Sequence, residues 1–413
     1  MILQEGDKVR QRGQTRGCPQ GSVLGQILWN LVFRGLLSEI EIHTEGKPTA
    51  YADDLAIVVA GANRQEIEHK AQHCVNRVLE WCDRHKLCVS TDKSCLLLLK
   101  GTIRQDDVPV IRLGGNQIMR MDQSVTYLGI VIDKGTRFHT HCSRIREKVK
   151  TIFHKFRGIA RSKWGFRHES LQIIYTSICN PVLTYGAGAW AEYVTQKDIQ
   201  ILTKVQRAAL LVITRAYRTI SEPALLVIAN VKTAKHLLED EQLRHAIRQS
   251  RSAHVGGAEY DPINKSPAVL KEECEAQQLA EQQQAWETDS RGRATFEFFP
   301  IIAERRKSTW IQPNYYTTQF LSGHGNFRSK LRKFSLVKTD KCRCGSVDTP
   351  FHTFYECERF KNLRDMYEHK IRSGGLNWLL SPRQSISESI VKETVEYVAE
   401  VLKEKEVWDH EMI

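Results

Sequence analysis

Two adjacent aspartates, Asp53 and Asp54, lie between mostly apolar residues in the stretch TAYADDLAIVVA, Thr49 to Ala60. A strand before the pair and the strand LAIVV after it predict a β-hairpin with both carboxylates at its exposed tip. Carboxylates held on a rigid support are suited to bind two Mg²⁺ ions about 4 Å apart for phosphoryl transfer. The competing interpretation is a solvated turn, because aspartate is common at hairpin turns for conformational reasons alone.

A glycine-rich loop lies upstream of the hairpin, in RGCPQGSVLGQILWNLVF, Arg16 to Phe33. Its glycines and proline allow a tight turn and close approach of the backbone to a ligand, and the apolar residues from Val23 onward predict a helix. The N-terminus of such a helix favours a phosphate or a nucleic-acid backbone, and Gln20 and Ser22 add side-chain donors. Alone, the stretch is equally compatible with an ordinary loop-to-helix junction.

A second group of residues that could do chemistry lies in CRCGSVDTPFHTFYEC. Cys342, Cys344, His352 and Cys357 have the spacing C-x-C-x7-H-x4-C, so three thiolates and one imidazole are available for a tetrahedral Zn²⁺ site. The alternative is that the cysteines only pack. His324, in SGHG, is expected to be a turn or packing histidine rather than a ligand. The basic residues around the cluster suggest contact with RNA or DNA, and they are Arg328, Lys330, Arg332, Lys333, Lys338, Lys341 and Arg343.

Composition narrows the class of protein. The 413 residues are 41% hydrophobic and 26% charged, as in ordinary globular proteins. The net charge of +12 and the pI near 9.1 favour a polyanionic partner such as nucleic acid over a membrane surface, because no apolar run approaches the roughly 18 residues that span a bilayer. Eleven cysteines, an odd number scattered along a long chain, are expected to be free thiols in an intracellular, reducing location.

The elements that must position these residues follow from hydrophobic spacing. Residues 63–86 predict a helix, and residues 107–113 and 123–133 predict two strands, so the first part of the chain is mixed α and β. Residues from about 137 to 250 predict helices throughout. Residues 251–308 predict a linker with a Gln-rich polar helix, and residues 387–408 a terminal helix.

Much of the excess positive charge lies at the start of the helical region. Between Arg137 and Glu169 there are ten Lys and Arg and two Glu, a net charge of +8. Such a surface is expected to meet phosphates, and the alternative is the charged outer face of an ordinary amphipathic helix. The residues expected to bind nucleic acid are Arg144, Lys148, Lys150, Lys155 and Arg157.

The motifs GCPQGS, YADD, STDKSCLLLLKG and TYLGIVID resemble, in the same order, the palm of a non-LTR (LINE-type) retrotransposon reverse transcriptase. The similarity continues through NPVLTYGAGAW, KVQRAALLVITRAYRTIS, LSGHGNF and the Cys/His cluster, and is strongest to the arthropod elements that insert into ribosomal RNA genes. The resemblance implies an α+β chain. Its parts would be a partial palm of antiparallel sheet and helices in residues 1–135, an all-α thumb and connector in 136–250, a linker with a polar helix in 251–308, and a small zinc-binding unit in 309–413.

The resemblance also implies roles for single residues. Asp53 and Asp54 would be catalytic and bind Mg²⁺, with Tyr51 beside the active site. Lys93 would lie near the triphosphate, although a solvated lysine is an alternative. The template and the incoming nucleotide would meet Gln20, Gly21 and Ser22, and structural Zn²⁺ would be bound by the Cys/His cluster. The implied partners are an RNA template, a DNA primer or target and deoxynucleoside triphosphates. The expected location is the nucleus, with the cytoplasm for particle assembly.

One departure from the family pattern affects the expected activity. The first palm motif, which supplies a third carboxylate, lies upstream of GCPQGS in the family, and Glu5 and Asp7 are the only acids ahead of Gln20. Neither has the spacing of a substitute. We therefore expect a fragment that lacks the fingers and upstream endonuclease and is competent only when the missing part is supplied. Two alternatives are a catalytically dead or co-opted nucleic-acid-binding fragment and a zinc-stabilised interaction protein.

Overall fold

The computed structural model describes residues 2–5, 8–11, 22–101, 108–115, 117–157, 166–375 and 381–410. The chain forms two compact units, Met1–Arg137 and Phe138–Ile413, which are described separately. Among the described residues, no helix combines the length and the apolar character needed to cross a bilayer.

The first unit mixes helices with short strand pairs. Its elements are β1 (Ile2–Glu5), β2 (Lys8–Gln11), α1 (Gly25–His43), β3 (Lys47–Tyr51), β4 (Asp54–Val58), α2 (Arg64–Arg84), β5 (Cys95–Leu97), β6 (Arg120–Asp122), β7 (Ser124–Tyr127) and β8 (Ile130–Asp133). The pairs β1–β2, β3–β4 and β7–β8 are antiparallel, whereas β5–β6 is parallel. The mixed α and β character was predicted. The palm sheet was expected to be antiparallel, but in the described part of this unit each sheet has two strands.

The core of the first unit lies between α1, α2 and the β3–β4 hairpin. Helix α2 was predicted from the spacing of its apolar residues. Its N-cap is Asn63, whose side chain accepts a hydrogen bond from the Glu66 backbone N–H at 2.9 Å. The buried side chains of this core come from both helices, and they are Phe33, Leu36, Ile40, Cys74 and Trp81. Packing against them fixes the direction of the hairpin relative to α1.

The predicted strand 123–133 is two strands joined by a tight turn. Leu128 and Gly129 have φ of +47° and +81°, between β7 and β8. Positive φ at both central residues is the geometry of a type I′ hairpin turn, whose twist matches that of the strands. The run was predicted as one strand because a leucine gives no signal for positive φ. Residues 108–113, predicted as a strand, form only a bridge between Arg112 and Ile118 in the described part.

The second unit is mostly helical. Its elements are α3 (His139–Arg157), α4 (His168–Ile174), α5 (Asn180–Thr184), α6 (Ala187–Trp190), α7 (Gln196–Ile213), α8 (Glu222–Ala229), α9 (Ala234–Gln249), β9 (Ala253–Val255), β10 (Ala258–Tyr260), α10 (Pro267–Thr288), α11 (Arg293–Phe298), α12 (Ile302–Lys307), α13 (Tyr315–Ser322), α14 (Arg328–Lys333), α15 (Lys361–Ser373), α16 (Pro382–Ser385) and α17 (Val391–His410). Short π-helical turns span Tyr175–Cys179 and His352–Glu356.

Helices α3 and α7 form the main packed pair of the second unit. Ile145 and Val149 of α3 are buried. Helix α7 begins with a capping box between Thr195 and Asp198, and the Asp198 carboxylate also contacts His139 Nδ1 at 2.7 Å. The start of α7 is therefore tied to the start of α3.

The segment 251–308, predicted as a linker with a polar helix, is packed into the second unit. The β9–β10 hairpin buries Val255 and Tyr260 against Leu270 and Cys274 of α10. Helix α10 is polar in composition, but it begins at Pro267 and buries a face. This contact was difficult to predict, because the segment is rich in Gln and Glu and only a few apolar residues, spaced four apart, make the contact.

Candidate functional site

The two aspartates lie at the tip of the β3–β4 hairpin. Tyr51 pairs with Asp54, and Ala52 and Asp53 form the turn between them. All four residues are exposed, and Ala52 has a φ of +52°. The predicted hairpin is therefore present, with Asp54 one position further into the second strand than expected. An alanine in the left-handed region is uncommon, and such backbone strain is concentrated at functional sites.

Helix α1 holds this tip through Trp29. The Trp29 Nε1–H donates a hydrogen bond of 2.8 Å to the Ala52 carbonyl oxygen. The Trp29 ring stacks on Phe33 with centroids 5.1 Å apart, and Phe33 meets Trp81 edge-on at 5.6 Å. A turn held by a half-buried Trp29 that packs on the buried Phe33 presents its carboxylates in a constant direction, as metal binding requires.

Tyr127, the last residue of β7, lies within electrostatic range of Asp54. Burial raises the pKa of the Tyr127 hydroxyl, and the negative charge of Asp54 raises it further. The hydroxyl oxygen of Tyr127 is itself buried. The carboxylate of Asp54 therefore acts electrostatically on Tyr127 of the TYLGIVID motif, although some seventy positions of sequence separate the two residues.

The other predicted palm residues lie on separate segments. Ser22 is half-buried ahead of α1, and its carbonyl oxygen accepts from the Gly25 backbone at 3.1 Å. Lys93 is exposed in the turn before β5. Gln20 and Gly21 lie outside the described residues. Of the two acids considered as substitute ligands, Glu5 ends β1 opposite Lys8 in register, and Asp7 is also outside the described part.

Helix α1 carries an apolar face that is open to solvent. The exposed fraction is 57% for Ile27, 50% for Leu28 and 63% for Leu31, and it is 90% for Val23 and 60% for Leu24 in the turn just before the helix. Contiguous apolar patches on a protein surface commonly mark contact with another protein segment. This face lies on the same helix that holds the aspartate hairpin.

Basic residues line the outer side of α3. Arg144, Lys148 and Lys155 are exposed and fall within about 40° of each other on a helix of 100° per residue, and the buried Ile145 and Val149 lie about 100° further round the helix. Lys150 is exposed on another side and its Nζ contacts Glu147 at 3.1 Å. Arg157 ends α3, and its side chain is outside the described part.

The predicted zinc ligands are close together. The Cys342, Cys344 and Cys357 Sγ atoms and a His352 ring nitrogen lie within 4.8 Å of one another. Cys342 and Cys357 Sγ are 3.8 Å apart, and Cys344 Sγ is 3.1 Å from His352 Nε2. A tetrahedron with Zn–S bonds of about 2.3 Å has an S–S edge of about 3.8 Å, so the residues fit a zinc ion.

The surroundings of the cluster orient His352 and shift the pKa values of two of its cysteines in opposite directions. The Glu356 carboxylate is 3.7 Å from His352 Nδ1, on the opposite side of the ring from the nitrogen that faces Cys344. A carboxylate in that place orients a histidine ligand. Burial raises the pKa of the Cys357 thiol to about 12. Burial also opposes ionisation of Cys344, but hydrogen bonds from Ser346 and the neighbouring thiols lower its pKa overall.

Asp348 joins this cluster to the terminal helix. Its carboxylate is fully buried and forms an ion pair of 2.7 Å with Lys405 of α17, also buried. The same carboxylate accepts from the Arg328 backbone at 2.9 Å and from Thr353 Oγ1 at 2.9 Å. The loop, the start of α14 and α17 are therefore held at one point.

We expect Lys405→Met to lower the free energy of unfolding of the second unit by about 3 kcal/mol, because it leaves a buried carboxylate without its cation. Urea denaturation followed by circular dichroism measures the change. The matched control is Lys403→Met, two residues away on α17 and exposed, for which a change under about 0.5 kcal/mol is expected. Equal effects of the two substitutions would contradict the structural role of the ion pair.

His324 lies apart from the Cys/His cluster among the described residues. Its Nδ1 is 3.0 Å from Thr219 Oγ1, consistent with a packing role. Burial, with a smaller contribution from the positive charge of Lys330, lowers the pKa of His324 to about 4.

This low pKa predicts acid sensitivity. An unfolded histidine has a pKa of about 6.5, so the unfolded state binds more protons between pH 6.5 and 4, and the free energy of unfolding falls as the pH falls through this range. We expect His324→Gln to reduce the difference in unfolding free energy between pH 7.5 and 4.5, measured by urea denaturation. His254→Gln, at an exposed position, should leave the difference unchanged. The same pH dependence in both variants would exclude His324 as a source.

Sequence reasoning missed three residues that shape these sites. Trp29 looked like one more apolar residue of a helix, and Tyr127 like a residue within a continuous strand. Lys405 lies in the charged run KEKEVW and resembles a surface lysine. The signal in the sequence was weak. Val401 and Leu402 before Lys405, and Val407 and Trp408 after it, indicate an apolar helix face, on which a lysine is not expected.

Comparisons with known proteins bear on the first unit and on the whole chain. Residues 1–132 match the family described as "Reverse transcriptase (RNA-dependent DNA polymerase)". A Nasonia vitripennis Pol polyprotein from type-1 retrotransposable element R1 4 is 34% identical over 347 residues, which are 79% of this chain and 87% of that protein. No solved structure matches the chain.

Two longer relatives are also similar. The putative 115 kDa protein of retrotransposable element R1DM from Drosophila melanogaster is 29% identical, with 88% of this chain and 36% of that protein covered. A Pol polyprotein of element R1 from Bradysia coprophila is 28% identical, with 85% of this chain and 35% of that protein covered. The chain therefore spans about a third of these two relatives.

Proposed function

Since the chain belongs to the reverse transcriptases of R1-type non-LTR retrotransposable elements, we propose that its first unit contributes Asp53 and Asp54 to a two-metal nucleotidyl-transfer site. The observation that carries this proposal is the exposed hairpin tip with two adjacent carboxylates, fixed by Trp29. Family membership makes the chain an RNA-directed DNA polymerase by descent, with RNA, DNA and nucleotides as substrates.

The candidate residues of this unit would have different roles in such a site. Asp53 and Asp54 would hold Mg²⁺, which supplies charge stabilisation to a phosphoryl group when bound. Tyr51, exposed beside them, offers a ring face to the nucleotide being added. Lys93 would neutralise charge on the departing pyrophosphate. Gln20, Gly21 and Ser22 would contact the template and the incoming nucleotide.

We further propose that a third carboxylate from another segment completes the metal site. Two metals held by two adjacent carboxylates would be poorly positioned, and positioning governs this chemistry. The open apolar face of α1, with Ile27 and Leu31, together with Val23 just before the helix, offers a place for such a segment to pack. The two relatives of which the chain spans about a third have the length to include one.

Primer extension tests this proposal. The purified chain is given an RNA template, a DNA primer, Mg²⁺ and deoxynucleoside triphosphates, alone or joined behind the upstream segment of the Drosophila relative. We expect incorporation only from the joined protein. Strong incorporation by the chain alone that Asp53→Ala abolishes would contradict the need for a further carboxylate, and no incorporation by either protein would contradict the polymerase.

The second unit would bind nucleic acid and a structural zinc ion. We propose that Arg144, Lys148 and Lys155 meet the backbone of a template–primer duplex, with Lys150 and Arg157 nearby, as expected of a thumb. Cys342, Cys344, His352 and Cys357 would bind Zn²⁺. The location would be intracellular and, for synthesis at a nicked chromosomal target, nuclear, with assembly in the cytoplasm.

A second candidate function is a nucleic-acid-binding fragment without synthesis. The basic stripe of α3 favours it, because this surface would retain affinity for phosphates without metal. The two functions differ in metal-dependent incorporation and agree in salt-sensitive binding. The primer extension experiment therefore separates them.

A further inference from the structure

A short loop after α14 projects two large apolar side chains into solvent. In the loop Lys333–Lys338, Phe334 is 47% exposed and Leu336, two positions later, is 69% exposed. Neither side chain is needed to close a core. Large apolar groups grouped on a protein surface usually mark a contact with a ligand or partner.

Hydrogen bonds give this loop a fixed shape. The Leu336 backbone N–H donates to the Leu331 carbonyl at 3.0 Å and the Ser335 N–H donates to Arg332 at 2.9 Å. With Ser335 at a φ of +57°, this is a Schellman motif at the end of α14. The motif usually buries the side chain at the Leu336 position against the helix, but here that side chain remains open.

The other end of the loop is also fixed. Arg332 Nη1–H donates to the Lys338 carbonyl at 2.8 Å and closes the loop. Two residues further on, the Asp340 carbonyl accepts from the Asp348 backbone at 2.8 Å, next to the Cys/His cluster. A loop held at both ends loses little conformational entropy when it binds a partner.

Positive charge surrounds the exposed ring. From Arg328 to Arg343 there are seven Lys and Arg and one acid, Asp340. Arg332, Lys333 and Lys338 are exposed on either side of Phe334. A ring between basic side chains matches a strand of unpaired nucleotides, which offers base faces for stacking and phosphates for the cations.

We propose that the loop Lys333–Lys338 binds unpaired nucleotides, with one base stacked on Phe334 and the adjacent phosphates at Arg332, Lys333 and Lys338. The proposal rests on the proposed function only in taking nucleic acid as the partner of this chain. In a duplex the faces of the bases are covered by the neighbouring base pairs, so duplexes would use the phosphate contacts but not the ring. The loop would therefore add a preference for single strands to the general affinity of the basic surfaces.

Fluorescence anisotropy with a labelled single-stranded oligonucleotide and its duplex, without Mg²⁺ or nucleotides, tests the proposal on the whole chain. We expect Phe334→Ala to weaken single-strand binding about tenfold and duplex binding less than twofold. Phe334→Trp should keep the affinity because it keeps a ring. Phe334→Leu should not, because it keeps apolar area without a face for stacking.

The matched control is Tyr193→Ala, which removes an aromatic ring of similar exposure, 54%, from the same unit. It should leave both affinities unchanged, and unchanged circular dichroism and thermal unfolding would show that all variants fold. Unchanged single-strand binding by Phe334→Ala, or full affinity of Phe334→Leu, would overturn the proposal. Binding to anionic lipid vesicles that Phe334→Ala abolishes, with single-strand binding intact, would assign the loop to a membrane instead.

The outcomes separate this inference from the proposed function. If the chain binds no nucleic acid at low salt, both fail. If primer extension fails while single-strand binding depends on the Phe334 ring, the loop keeps its assigned ligand and only the polymerase is lost.

Discussion

Asp53→Asn lowers nucleotide incorporation by the chain joined to the upstream segment of the Drosophila relative at least about a thousandfold, because a neutral amide replaces a metal-binding carboxylate. The substitution keeps the size of the side chain at an exposed turn, so the fold should be unchanged. Primer extension on an RNA template, with the rate measured under single-turnover conditions, gives the effect. We expect Asp54→Asn to reduce the rate as well.

The control for this prediction is Asp83→Asn, an exposed aspartate near the end of α2. It removes the same charge from the same unit but lies outside the hairpin, so it should retain nearly full activity. Affinity for the template and primer should be similar in the unsubstituted protein, Asp53→Asn and Asp83→Asn. A loss of less than tenfold for Asp53→Asn would place the metal ligands elsewhere.

Cys357→Ser abolishes zinc binding and unfolds the region from Cys342 to Cys357. Structural zinc sites contribute about 10–16 kcal/mol in small zinc-dependent peptides near pH 7, more than a small unit gains from its own core. Because the Asp348–Lys405 ion pair lies beside the cluster, α17 should also lose protection from protease. We expect about one zinc ion per chain in the unsubstituted protein, measured by elemental analysis, and none in the variant.

Cys88→Ser serves as the control because Cys88 is an exposed free thiol in the first unit. It should retain its zinc and its protease pattern. Removal of metal from the unsubstituted protein with a chelator should reproduce the Cys357→Ser pattern, and addition of Zn²⁺ should reverse it. Identical zinc content in all three proteins would mean that the four residues only pack.

The features that sequence predicted best are local ones. The hairpin of Asp53 and Asp54 and the helix α2 follow from patterns within about twenty residues, and the Cys/His residues are close because a short loop brings them together. Their presence in the structure confirms the hairpin and the helix. The roles of the site residues in catalysis stay predictions.

The features that sequence did not predict depend on distant contacts or on uncommon backbone. The turn at Leu128 was hidden because the residue type does not indicate positive φ. The hydrogen bond from Trp29 to Ala52 joins residues of different elements, and the pairing of Lys405 with Asp348 joins residues 57 positions apart. The segment around α10 was assigned by composition, which conceals the apolar positions that dock it.

Because of the ion pair between Asp348 and Lys405, mutations in the codons of α17 can damage the Cys/His cluster in genomic copies of this gene. A nonsense mutation just ahead of the Lys405 codon would remove the cation of this pair and leave a buried negative charge beside the cysteines. Among decaying copies, deletions that include the Lys405 codon should therefore inactivate the cluster as effectively as losing a cysteine codon.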